Sequence, residues 1–73
     1  MTDGLRPAGR ETLRSVQRVG EILNLFGPDR PDLGVTEAAR TLGISKSSAH
    51  ALLTSLAEIG FLYRTPVGRY RLG

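Results

Sequence analysis

The sequence predicts a small, mostly α domain in which three helices are closed by a two-stranded β-hairpin. Three observations carry that prediction. Apolar residues recur at intervals of three and four from Glu11 to Phe26. Two later helical stretches open on hydroxyl residues, Thr36 and Ser45, and stop at Gly43 and Gly60. After Gly60 the period shortens to two, as in a strand. At 73 residues the chain has room for one domain with a thin core.

Taken in order, residues 1–10 contain Gly4, Pro7 and Gly9 and predict a flexible N-terminal arm, leaving 11–73 as the folded domain. Leu13, Val16, Val19, Ile22, Leu23 and Phe26 line one side of the first helix. Gly20 within it costs about 1 kcal/mol relative to Ala, a cost often met where another backbone must come close. The run GPDRPDLG (27–34), with two Pro and two Gly, predicts a loop. Thr36 is placed to cap the second helix, with Glu37 favourably set in its first turn. Ser45 caps a third helix that runs to about Ile59. FLYR and RYRL then flank TPVG, which predicts a four-residue hairpin loop. That register sets Arg64 opposite Arg69, Tyr63 opposite Tyr70 and Phe61 opposite Leu72.

Composition excludes several classes of function. There is no Cys and a single His, so no thiolate metal site or disulfide is possible and no metal or cofactor is expected. With no Gly-rich phosphate loop and no carboxylate pair on one face, an enzyme is not expected either. No apolar run approaches the roughly 20 residues of a membrane span, and the N-terminus has no signal-type block; a cytoplasmic protein is expected. Residues 1–32 balance five Arg against five acids, so the net charge of +3 lies wholly in residues 33–73. A one-sided positive charge is the electrostatic footprint of a nucleic-acid binder.

Two helices joined at a tight Gly turn form a helix-turn-helix. Ala38 and Ala39 supply the small residues where the helices cross, and Gly43 tolerates the positive φ of the turn. Val35, Leu42, Ile44, Ala49 and Leu52 are its apolar anchors. Turning the third helix through 100° per residue gathers Ala49, Leu52, Leu53, Leu56 and Ile59 inward. The remaining face, Lys46, Ser47, Ser48, His50, Ala51 and Thr54, is short, hydroxyl-rich and suited to a DNA major groove. Lys46 stands in the first turn against its own helix dipole, and a phosphate at that helix start would reconcile the two. Arg64, Arg69 and Arg71 make the hairpin positive, as in the wing of a winged helix, which lies on the backbone or in the minor groove. Ser45, Thr36 and Arg40 complete the candidates for DNA contact. For His50 a phosphate or base contact competes with plain surface exposure, and Tyr63 and Tyr70 are expected in the core. The competing reading of the whole is a protein-interaction module that meets no nucleic acid.

SVQRVGEILNLF, GVTEAARTLGISKSSAHALLTSLAEIGFL and GRYRLG together resemble the N-terminal DNA-binding domain of IclR-family bacterial transcriptional regulators, over about residues 15–73. The resemblance implies a winged helix-turn-helix with a recognition helix at about 46–59 and a wing at 61–72. It implies sequence-specific binding of double-stranded DNA at (pseudo)palindromic operators by a homodimer, paired through the first helix or through a C-terminal domain. That domain would bind a small-molecule effector; this chain is expected to lack it and to be a piece of a longer protein. Ser47, Ser48 and His50 match the family pattern. Ala49, Ala51 and Gly20 depart from it, standing where the family usually has a β-branched residue, an Arg and an Ala.

Overall fold

The computed structural model describes residues 6–73, with side chains from Leu13 onward. Helix α1 spans Arg6–Leu25, α2 Val35–Leu42 and α3 Lys46–Glu58, and three short strands follow the chain as β1 (Asp32–Leu33), β2 (Leu62–Arg64) and β3 (Tyr70–Leu72). Of the expected flexible arm, residues 1–5 lie outside the described residues, and 6–10 belong to α1 instead. Pro7 falls in the first turn, where a missing N–H breaks no hydrogen bond and its fixed φ already suits a helix.

The core gathers Ile22 of α1, Leu33 of β1, Ala38 and Ala39 of α2, Ala49, Leu53 and Leu56 of α3, Leu62 of β2 and Tyr70 of β3. Val19, Leu23 and Phe26 pack against it, whereas Leu13 and Val16, on the same stripe of α1, remain 69% and 59% exposed. The helix outruns the core it covers. α2 buries only Ala38 and Ala39, and α3 buries Ala49 near its start, small residues that let two backbones approach closely. Between them Gly43 adopts φ 69°, and Ile44 N–H donates to Ala39 O at 3.0 Å, closing α2 with a left-handed cap that only Gly enters without strain.

Three expectations need correction. The segment 27–34 is not all loop: Gly27 and Arg30 exchange two backbone hydrogen bonds of 3.0 Å, and Asp32–Leu33 then joins the sheet beside β3, giving the order β1-β3-β2. The cap of α2 is Gly34, not Thr36, because the Glu37 carboxylate reaches back to accept the Gly34 N–H at 2.9 Å. Ile59 is 65% exposed at the end of α3, outside the inward stripe, since the helix stops at Glu58.

The hairpin also differs by one residue. Gly68, at φ 82°, ends a three-residue loop in which its N–H donates to Thr65 O at 2.9 Å and Thr65 N–H donates to Arg69 O at 2.7 Å. A type I turn followed by a left-handed Gly is the usual three-residue hairpin loop. Arg64 therefore pairs with Tyr70, Tyr63 with Arg71 and Leu62 with Leu72. A slip of one residue exchanges the faces of one strand. Tyr70 enters the core as expected, but Leu62 enters beside it, and Tyr63 is left 50% exposed on the outer face. The expected like-charge pair of Arg64 and Arg69 does not form.

Candidate nucleic-acid interface

The start of α3 is built locally. Ser45, in extended conformation, accepts the Ser48 N–H on its Oγ at 3.1 Å and donates its own hydroxyl to Ser48 Oγ at 3.0 Å. Both side chains are held before anything binds. Ser48 keeps its O–H for an outside acceptor, whereas Ser45 is committed to the cap. Of the N–H groups that open every helix unpaired, the cap takes that of Ser48 and leaves those of Lys46 and Ser47.

Lys46, Ser47, Ser48, His50 and Ala51 are exposed, and Thr54 is half-buried, with Ala49, Leu53 and Leu56 holding the opposite side in the core. The structure therefore brings the expected face together on one rigid helix. It also adds Arg64 to it. Because Arg64 shares the inner side of the hairpin with Tyr70, it lines, with His50, Thr54, Ala57, Glu58 and Tyr70, an open groove of about 460 Å³ between α3 and the wing. Arg71 is exposed on the outer face of the sheet, between Asp32 and Tyr63 in the strand register. Thr36 and Arg40 are exposed on α2.

Arg69 is placed otherwise than expected. Its Nε donates to Asp32 Oδ1 at 2.5 Å and its Nη2 to Glu37 Oε1 at 2.6 Å. The guanidinium is occupied by two carboxylates rather than offered to a phosphate. Arg40, Lys46, Arg64 and Arg71 make no ion pair among the described residues. Asp32 and Glu37 were not among the expected site residues. A two-residue strand shows no periodicity to reveal it, and no local signal joins Arg69 to partners more than 30 residues away.

The Gly34 N–H and, after it, the Arg69 guanidinium hold the Glu37 carboxyl below its ordinary value of 4.5. A depressed carboxyl contributes stability that is present above its unfolded pKa and is lost as pH falls through its folded one. Acid titration from pH 5 downward should therefore unfold the protein more steeply than it unfolds Glu37→Gln, which has no proton to take up. Equal slopes in a denaturation series across that range would show that Glu37 contributes nothing to the pH dependence.

No described helix is long and apolar enough to cross a membrane. The family model of the IclR helix-turn-helix domain matches residues 15–66. The HTH-type transcriptional regulator XynR of Escherichia coli (strain K12) is 39% identical over 62 residues, which is 84% of this chain and 25% of that protein. The glycerol operon regulatory protein of Streptomyces griseus is likewise 39% identical over 62 residues, 84% of this chain and 24% of that protein. Among solved structures, the Agobacterium tumefaciens repressor BlcR superposes with a TM-score of 0.73 at 33% identity, over 88% of this chain and 26% of that one. The chain thus spans about a quarter of the length of these relatives.

Proposed function

From the premise that this chain belongs to the IclR helix-turn-helix family, we propose that it is the module with which a larger bacterial transcriptional regulator grips double-stranded DNA at specific sites. The observation that carries the proposal is the exposed face of α3. Lys46 and the free N–H groups at the helix start take a phosphate, which fixes depth and register. Ser47, Ser48, His50, Ala51 and Thr54 then meet base edges, the hydroxyls by hydrogen bonds and the Ala51 methyl by contact with a thymine methyl. Arg64 and Arg71 serve the flanking backbone or minor groove, and Thr36 and Arg40 further phosphates. Ser45 acts through the helix cap.

On this reading the regulator is a cytoplasmic homodimer without catalytic activity, reading a (pseudo)palindromic operator. The exposed Leu13 and Val16 of α1 support pairing through that helix. A small-molecule effector is assigned to a domain outside this chain.

Selection of bound duplexes from a random pool, followed by titration of the enriched duplex across salt, tests the proposal. An inverted repeat is expected to emerge. Log affinity should fall against log salt by roughly 0.9 for each phosphate neutralised, or by about 3 to 4 per subunit if Arg40, Lys46, Arg64 and Arg71 all engage. No enrichment and a flat slope would sink the DNA reading in favour of a protein-interaction module.

A further inference from the structure

We infer that Arg69 is a positioning residue that fixes the wing relative to the helix-turn-helix and does not itself touch DNA. The inference rests on the DNA reading for its consequence, but its geometry stands alone. Arg69 is tied at both ends. Its backbone N–H donates to Thr65 Oγ1 at 3.1 Å, and its carbonyl accepts the Thr65 N–H, which anchors it to the wing loop. Its guanidinium bridges Asp32 of β1 and Glu37 in the first turn of α2. Glu37 in turn accepts the Gly34 N–H at the junction of those two elements. One continuous run of hydrogen bonds therefore joins the wing loop, β1 and the start of the helix-turn-helix.

Gly34 fits this arrangement. A Cβ there would lie 3.0 Å from Arg69 Nη1, so the absence of a side chain lets the guanidinium lie against the backbone. The charges point the same way. One guanidinium between two carboxylates is a locus of net charge −1, which repels a phosphate, whereas Arg64 and Arg71 on the same hairpin carry no such partners among the described residues. The planar fork of Arg suits a bridge between two carboxylates, and a Lys ammonium, a point charge on a flexible stem, does not reproduce it.

The test compares Arg69→Ala, Arg69→Lys and Glu37→Gln with the unsubstituted chain, at a temperature where circular dichroism shows all four folded. Amide exchange by NMR is read at Leu33 and Tyr70, a facing pair of the β1–β3 ladder, without DNA. Affinity and salt slope are read on the duplex enriched from the random pool. All three variants should lose protection on the ladder, with α3 unchanged. Each should bind about tenfold more weakly at an unaltered salt slope. Glu37→Gln is the sharpest arm, because removing an acid from a DNA-binding protein ordinarily tightens it. The inference is overturned if Arg69→Ala lowers the slope by roughly one while Arg69→Lys retains affinity and Glu37→Gln binds more tightly, since Arg69 would then be a phosphate contact. Unchanged protection in all three variants also overturns it. Failure of the unsubstituted chain to bind any duplex sinks the DNA reading, and the exchange arm still reports whether the bridge holds the wing.

Discussion

Replacing Leu53 by alanine should bring this domain near its unfolding threshold. Leu53 is fully buried on α3, and among the described residues only Ile22, Leu33 and Leu62 match it as large core side chains. Truncating a buried Leu costs about 2–5 kcal/mol, the spread reflecting how far the surroundings collapse into the gap. Native stability of about 0.05–0.15 kcal/mol per residue gives a chain of this length roughly 4–11 kcal/mol in all. One substitution thus removes about a fifth of the total at the least and more than all of it at the most. The neighbours of Leu53 include alanines that cannot extend to fill the space, which argues for the upper part of the range. A thermal melt should show Tm falling by 10 °C or more, at about 4–8 °C per kcal/mol for a domain of this size. A fall of less than about 3 °C would mean that α3 is held chiefly by its contacts with α2 and not through the central cluster. Because the candidate interface lies on the far side of the same helix, DNA binding should fail together with folding.

The helices were legible in the sequence because their ends are written locally. Ser45 caps α3 through its own hydroxyl, and Gly43 and Gly60 take positive φ at the stops. The inward and outward faces of α3 follow from spacing alone, and only Ile59, beyond the last turn, was misplaced. What escaped was decided at a distance. Phe61, Leu62 and Tyr63 are all apolar, so either face of that strand could have entered the core, and alternation could not choose between registers. The choice fell to Gly68, whose positive φ makes the loop three residues long instead of four. In the same way Thr36 carries the hydroxyl of a cap, yet the cap of α2 is Gly34. Glu37 selects Gly34, and Glu37 is itself held by Arg69 from the hairpin. The charge count of the second half was right, but it treated Arg69 as free. Ion pairing across the fold moves the usable positive charge from the wing loop toward Arg64 beside α3.

With Arg69 tied to two carboxylates, the exposed face of α3 carries the candidate interface, and Ser47→Glu should separate binding from folding at its start. Ser47 is exposed in the first turn and makes none of the capping bonds of Ser45 and Ser48. A carboxylate in that turn interacts favourably with the helix dipole, by about 0.3–1 kcal/mol. The fold should hold its Tm or gain slightly. The same carboxylate would stand where a phosphate and base-edge acceptors are expected, beside Lys46, which it would neutralise. Losing one good base contact costs about 1–3 kcal/mol, and the repulsion and the lost Lys46 contact add to it. Specific binding should therefore weaken by roughly 100-fold or more, at 1.4 kcal/mol per factor of ten. Fluorescence anisotropy on the enriched duplex, run beside a thermal melt, reads both quantities. Opposite signs, a firmer fold and a lost complex, are what a groove-facing helix start requires. Equal affinity at an unchanged Tm would place the DNA, if any is bound, on another face of the molecule.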